Sequence, residues 1–206
     1  MIPALVTTLS PLYRPMPETP RGVIRMPAGQ TVLLDPVSAG ESRQIEVLDG
    51  VGRVLCPCEE TQGMTLAFLQ QNDRITTDRL CSEGVCIEAL TSLNFVVHPE
   101  SSDLGICTVN EWTLQLLRIR HFKTAELRLQ ALFGLLVSRL GRRCGDWCTL
   151  SFRLSHERIA ELIGTTRVTT TRLISKARQA HLLEVDSGPG TRVSPHLLSL
   201  VQEAAG

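Results

Sequence analysis

The 206-residue sequence has no apolar run near the roughly 20 residues needed to cross a bilayer. Its N-terminus lacks the basic-then-apolar pattern of a secretory leader, and Pro11, Pro15, Pro17 and Pro20 mark an irregular arm instead. A cytoplasmic protein with no membrane partner is expected. There is no nucleophile elbow, no HExxH pair and no phosphate loop, so no catalytic residues, no cofactor and no metal are predicted, and the chain is not read as an enzyme. The five histidines (His98, His121, His156, His181, His196) are scattered. The net charge is zero, which excludes a uniformly basic nucleic-acid coat. No low-complexity tract or internal repeat occurs. The seven cysteines are odd in number and fit reduced thiols better than a disulfide framework. Cys56-Pro57-Cys58, Cys81…Cys86 and Cys144…Cys148 read as separate pairs, without the Cys-x2-Cys spacing favoured by zinc ribbons.

What is present is enough apolar character, 43%, for a packed core. Between residues 21 and 98 short apolar runs recur: 32–34, 45–48, 52–55, 64–69, 85–87 and 93–97. Turn formers separate them at Asp35-Pro36, Asp49-Gly50, Gln71-Asn72-Asp73 and Glu83-Gly84. Short strands at this spacing predict a β-barrel or sandwich. From Val109 the period becomes helical. Val109, Trp112, Leu116 and Ile119 recur at spacings of three and four, a narrow seam that suits either a partner helix or an intramolecular core. Ala125 to Leu140 predicts a second helix, apolar nearly all round its middle and ended by Gly141. The expected fold is α+β. Residues 1–108 are expected to form an N-terminal β-barrel of cupin or jelly-roll type, residues 109–141 the linking helices, and residues 142–206 a winged helix-turn-helix.

Charge is unevenly spread. Residues 1–100 hold 7 Lys and Arg against 12 Asp and Glu, whereas residues 142–182 hold 8 against 3. A basic module on an acidic body points to a DNA-facing end. Within that module Trp147 to Leu154 alternates as a strand. Ser155 is placed to cap a helix through Ile159, Ala160, Leu162 and Ile163, and Gly164 supplies a sharp turn. Thr166 can cap a second helix whose apolar face is Leu173, Ile174 and Ala177. Leu182 to Val185, the turn at 187–190 and Thr191 to Ser194 read as a β-hairpin wing. In this plan the second helix enters the major groove with its N-terminal residues nearest the bases. Arg167 and Arg172 can read guanine O6 and N7, and Val168 can meet a thymine methyl. The hydroxyls of Ser155, Thr166 and Thr169 can reach phosphates.

The stretch from Leu154 to Ile174, LSHERIAELIGTTRVTTTRLI, resembles the DNA-binding signature of the CRP/FNR family, in particular its cyanobacterial NtcA-like branch. A Thr-Arg-Val-Thr-Val-Thr-Arg-Leu core recurs there; Thr170 stands here where that core has its second valine. The resemblance covers the last third of the chain well, and the order of modules extends it loosely over the rest. It implies a homodimer held through the helix carrying Val109, Trp112, Leu116 and Ile119, and so a dimerisation role for the linking helices of residues 109–141. It implies base contacts from Arg167, Val168 and Arg172, a GTA…TAC palindrome, and a phosphate contact at His156. It also implies a contact with RNA polymerase from residues just before the helix-turn-helix. Members of the family sense ligands through the barrel. Gly40-Glu41-Ser42-Arg43 lacks the downstream Arg-Ser or Arg-Thr pair of a cyclic-nucleotide cradle, and the stretch 72–80 lacks the Phe-Gly loop of the 2-oxoglutarate binders. Arg74 and Arg79 could hold a carboxylate or simply pair with acids. Cys144 and Cys148, among Arg142 and Arg143, are candidates for a redox switch. The alternative function is a small-molecule or redox sensor acting mainly through protein contacts, with weak DNA binding.

Overall fold

The computed structural model describes residues 22–35, 43–58, 63–77, 80–81, 83–99, 108–185 and 188–197. The prolines of the N-terminal arm, Gly40-Glu41-Ser42, Arg79 and Ser187 lie outside the described residues. The N-terminal strands are β1 (Ile24–Met26), β2 (Thr31–Leu34), β3 (Arg43–Asp49), β4 (Gly52–Leu55), β5 (Thr65–Leu69), β6 (Arg74–Thr76), β7 (Val85–Ala89) and β8 (Leu93–Pro99). They form two antiparallel sheets, ordered β1-β8-β3-β6 and β2-β7-β4-β5, in a jelly-roll-like arrangement rather than one closed barrel. The Asp49-Gly50 turn requires glycine. Gly50 has φ +90°, and a Cβ there would lie 2.0 Å from the Ser92 carbonyl oxygen.

Strand alternation sorts the residues of the second sheet onto two faces. Val54 is level with Ala67 and Ile87, and all three are buried. One residue earlier, Arg53 is level with Phe68 and Glu88, on the opposite face. That face is covered by helices. Phe68 packs against Trp112 with ring centroids 5.1 Å apart and against Phe152 at 6.4 Å. Arg53 is wholly buried with Nε 2.9 Å from Glu88 Oε2, while Nη1 and Nη2 find no hydrogen-bond partner among the described residues. Burial pushes the Arg53 pKa below its ordinary value, against the pull of Glu88. On the other sheet Arg74 pairs with Glu46 at 2.9 Å, so it is engaged in an ion pair within the sheet.

The central helices are α1 (Thr108–Arg120) and α2 (Ala125–Leu140). The side chain of Thr124 caps α2 by accepting from Leu127 N. Val109, Trp112, Leu116 and Ile119 are the buried side of α1 within a single chain, and Trp112 is only 1% exposed. This corrects the expectation that they form a seam between two chains: the periodicity marks the face that turns to the chain's own core. Arg139 of α2 stacks over the Trp112 ring, 5.4 Å from its centroid. The large apolar side chains that α1 leaves uncovered are Leu114, 62% exposed, and Leu117, 53% exposed.

The C-terminal module comprises β9 (Arg142–Cys144), β10 (Trp147–Leu150), α3 (His156–Ile163), α4 (Arg167–Gln179), β11 (Leu183–Glu184) and β12 (Thr191–Val193), with the strands ordered β11-β12-β10-β9. The β10 strand ends four residues before the predicted Leu154. Cys144 is level with Trp147, and Cys148 with Arg143. Those adjacent rungs face opposite sides of the ribbon, so Cys144 and Cys148 are not poised to join. Cys81, grouped with Cys86 by spacing alone, lies beside Cys56 and Cys58.

Candidate nucleic-acid interface

The two helices of the turn motif are built by local signals. Ser155 caps α3 by accepting from Arg158 N at 3.2 Å. Gly164 closes it in the left-handed region, φ 61° and ψ 55°, a conformation that a side chain would strain. Thr166 caps α4 by accepting from Thr169 N at 3.2 Å. Buried Ile159, Leu162, Ile163, Ile174 and Ala177 hold the pair together and seat it on α2.

The turn is also tied down from outside. Arg120, at the end of α1, donates from Nη2 to the Glu161 carbonyl at 2.6 Å and from Nε to that of Leu162 at 3.5 Å. Arg128 of α2 donates to the Gly164 carbonyl at 3.3 Å. Cations here meet the carbonyls that a helix C-terminus leaves over. On the other side the Glu161 carboxylate accepts from Thr65 N at 3.2 Å and Thr65 Oγ1 at 2.7 Å. Sequence reasoning missed these anchors: Thr65 and Glu161 are 96 residues apart, and nothing local announces such a pair.

The predicted DNA-facing residues lie together at the start of α4 and beside it. Arg167, Val168 and Arg172 are exposed. Among the described residues neither guanidinium enters an ion pair or hydrogen bond. Val168 is 62% exposed, an apolar side chain left open to solvent among the described residues. Thr166 Oγ1 and Thr169 Oγ1 are 3.0 Å apart. A single shared proton leaves the other hydroxyl able to donate outward. Arg153, Ser155, His156, Glu157 and Arg167 line a cleft of about 470 Å³ beside them.

His156 sits in a directed chain of hydrogen bonds. Thr171 Oγ1 gives its proton to the Arg167 carbonyl at 2.9 Å. It must therefore accept from His156 Nδ1, which lies 2.9 Å away. A neutral His156 then carries its proton on Nδ1 and presents Nε2 as an acceptor. Burial, and after it the charges of Arg153, Arg167 and Arg178, push its pKa below the ordinary histidine value.

Thr170 is wholly buried, and its hydroxyl has no partner among the described residues. Burying an unpaired hydroxyl costs about 1–3 kcal/mol, and valine has the same shape. Thr170→Val is expected to stabilise the chain by about 1 kcal/mol, read as a higher urea midpoint with an unchanged slope. A lower midpoint would mean that the hydroxyl is satisfied.

Residues 24–109 match the family model described as the cyanobacterial CRP family N-terminal domain, and residues 128–196 that of the Crp-like helix-turn-helix domain. Regulatory protein CysR of Synechococcus elongatus is 32% identical over 128 residues, 59% of this chain and 62% of that protein. The Global nitrogen regulator of Nostoc sp. is 38% identical over 72 residues, 35% of this chain and 32% of that protein. The chain thus spans less than two thirds of either relative. Among solved structures, a CooA mutant from Carboxydothermus hydrogenoformans superposes with a TM-score of 0.63 at 20% identity, covering 89% of this chain and 87% of that one. A CRP family transcriptional regulator from Thermus thermophilus superposes with 0.62 at 17% identity, covering 89% and 96%. At these identities the likeness shows the fold.

Proposed function

From the premise that the chain belongs to the CRP/FNR family, to which both of its modules match, we propose that it is a sequence-specific DNA-binding transcription regulator acting as a homodimer on a GTA…TAC-like palindrome. The observation that carries this reading is the exposed set Arg167, Val168 and Arg172 at the N-terminal end of α4, in no ion pair among the described residues. Uncommitted guanidinium forks beside a solvent-facing valine match the edges of guanine and the methyl of thymine. Ser155, His156, Thr166 and Thr169 flank that set as phosphate contacts, which fix register rather than sequence. The working division is a barrel over 1–108, linking helices over 109–141 and the DNA-binding module over 142–206.

Two copies meet through the outer face of α1. Asn110, Leu114, Leu117 and His121 recur at four, three and four residues and are all exposed, the spacing of a helix-to-helix seam. Such a dimer places the two α4 helices in successive major grooves, about 34 Å apart. The exposed ribbon Arg142 to Cys144, just before the helix-turn-helix, is the surface offered to RNA polymerase. The chain acts in the cytoplasm, where its DNA is.

A gel-shift titration with a GTA…TAC duplex and a scrambled duplex, at two salt concentrations, tests the reading. Selective binding that survives the higher salt is expected. Equal, salt-sensitive binding to both duplexes would overturn the half-site, since it would reflect phosphate contacts alone.

The hydrogen-bond chain at His156 sets a pH dependence. With its proton held on Nδ1, the neutral ring has none on Nε2 to give to a phosphate. Contact therefore requires the imidazolium. DNA raises the pKa that burial and the arginines lower in the free chain, so binding takes up a proton. Affinity is expected to rise as pH falls from 8 towards 6, and this His156-dependent part to vanish in His156→Gln. Identical pH profiles for the two proteins would remove His156 from the phosphate contacts.

A further inference from the structure

Three thiols that are distant in sequence converge at one edge of the jelly roll. Cys56 and Cys58 directly follow β4, and Cys81 lies in the connection leading to β7. The backbone around them is held: Cys56 N donates to the Met64 carbonyl at 2.9 Å, and Gly84 N to that of Cys81 at 3.3 Å. Cys81 Sγ lies 2.8 Å from Cys56 Sγ and 2.9 Å from Cys58 Sγ. All three sulfurs fall within 4.8 Å of one another, and none is in a disulfide.

The chemistry of this set is narrow. The sulfurs of Cys56 and Cys58 lie within 4.8 Å of each other and of Cys81, so the two neighbours in sequence act as one chelating pair that Cys81 completes. Among the described residues no carboxylate or imidazole belongs to the group, and the donors it brings together are sulfur. Soft thiolates select soft or borderline ions such as Cu(I) and Zn(II) over Mg(II) or Ca(II). Cys56 is buried, whereas Cys58 and Cys81 are half-buried, so the cluster is anchored on one side and open to an entering ion on the other. Cys86, level with Leu55 on β7, stands outside the group.

We propose that Cys56, Cys58 and Cys81 form a site for one thiophilic metal ion, Zn(II) or Cu(I), held by three thiolates. Loading displaces the thiol protons into solvent. Three sulfurs suffice for Cu(I), while Zn(II) takes a fourth ligand beside them. The site is independent of the DNA-reading surface, and its test does not involve DNA.

The test uses the full chain, reduced and kept free of oxygen. It is titrated with Zn(II) alone against a chromophoric chelator, and separately with Cu(I) against a Cu(I)-selective chelator. One ion per chain is expected for at least one of the two. Cys58→Ser is expected to weaken that binding by about 100-fold or more, because even outer-shell changes cost about 10–100-fold. Cys86→Ser and Cys148→Ser should bind as the parent does. Because Cys58 is half-buried, the serine variant should keep the parent's circular dichroism. X-ray absorption on the loaded parent checks the site without substitution: three sulfurs are expected, at about 2.3 Å for zinc. Failure to bind either ion at one per chain, unchanged binding in Cys58→Ser, or fewer than three sulfurs around the bound ion would overturn the proposal. So would a chain that takes up neither ion but forms a Cys81 disulfide to Cys56 or Cys58 on mild oxidation, which would make the cluster a redox pair.

Discussion

Trp112→Ala is expected to cost the folded chain about 3–5 kcal/mol, the range for removing a large buried aromatic. Trp112 packs on Phe68 at 5.1 Å and lies under Arg139 at 5.4 Å. Phe68 in turn stacks on Phe152, so the indole is central to a cluster that joins the N-terminal jelly roll, α2 and the start of the helix-turn-helix module. Its loss should be visible in each chain as a lower denaturation midpoint, whatever the protein concentration. The double substitution Leu114→Asp and Leu117→Asp should do the reverse. Both side chains are exposed in one chain, so the midpoint extrapolated to low concentration should barely move. Sedimentation should show the dimer replaced by monomer, because four like charges would meet across the seam. A dimer unaffected by the double substitution would place the interface elsewhere. A Trp112→Ala chain as stable as the parent would contradict the packing of α1.

Arg167→Ala is expected to weaken binding to the palindrome by about 1–3 kcal/mol and to relax the choice of base at one position of each half-site. The side chain caps no helix and bridges no element among the described residues, so the fold should be unaffected and the loss confined to recognition. Arg153→Ala, beside the same cleft, should instead weaken binding to all sequences alike and lessen the salt dependence by about one unit of slope. If Arg167→Ala behaved in that second way, Arg167 would be reading phosphate and not base.

The motif that carries the DNA-binding proposal was legible because its signals are local. Ser155, Gly164 and Thr166 are caps and a turn whose chemistry acts within three or four residues, and the structure shows them in those roles. The bounds of α2 were legible for the same reason. Strands β1, β6 and β9 are three residues each, too short for alternation to show. Periodicity identified the buried side of α1 but could not tell what buries it, since a core and a partner helix ask for the same spacing. The convergence of Cys81 with Cys56 and Cys58 was illegible, because spacing along the chain carries no information about which connections lie side by side. Arg53 likewise reads as a surface charge in an alternating strand until the helices are seen to cover that face.

The arginine ties at the end of α3 make α1, α2 and the turn of the DNA-binding motif one stiff lever. Arg120 reaches that turn from the last residue of α1, and Arg128 from α2. The aim of α4 is therefore referenced to the axis of α1. In the proposed dimer the two α1 helices act as a common axle. A small rotation where they cross is carried outward to the reading heads as a larger displacement. The spacing of half-sites that the protein accepts is then set at Leu114 and Leu117, far from any base, and substitutions that repack that contact should change the preferred gap in the palindrome while leaving the letters of each half-site as they were.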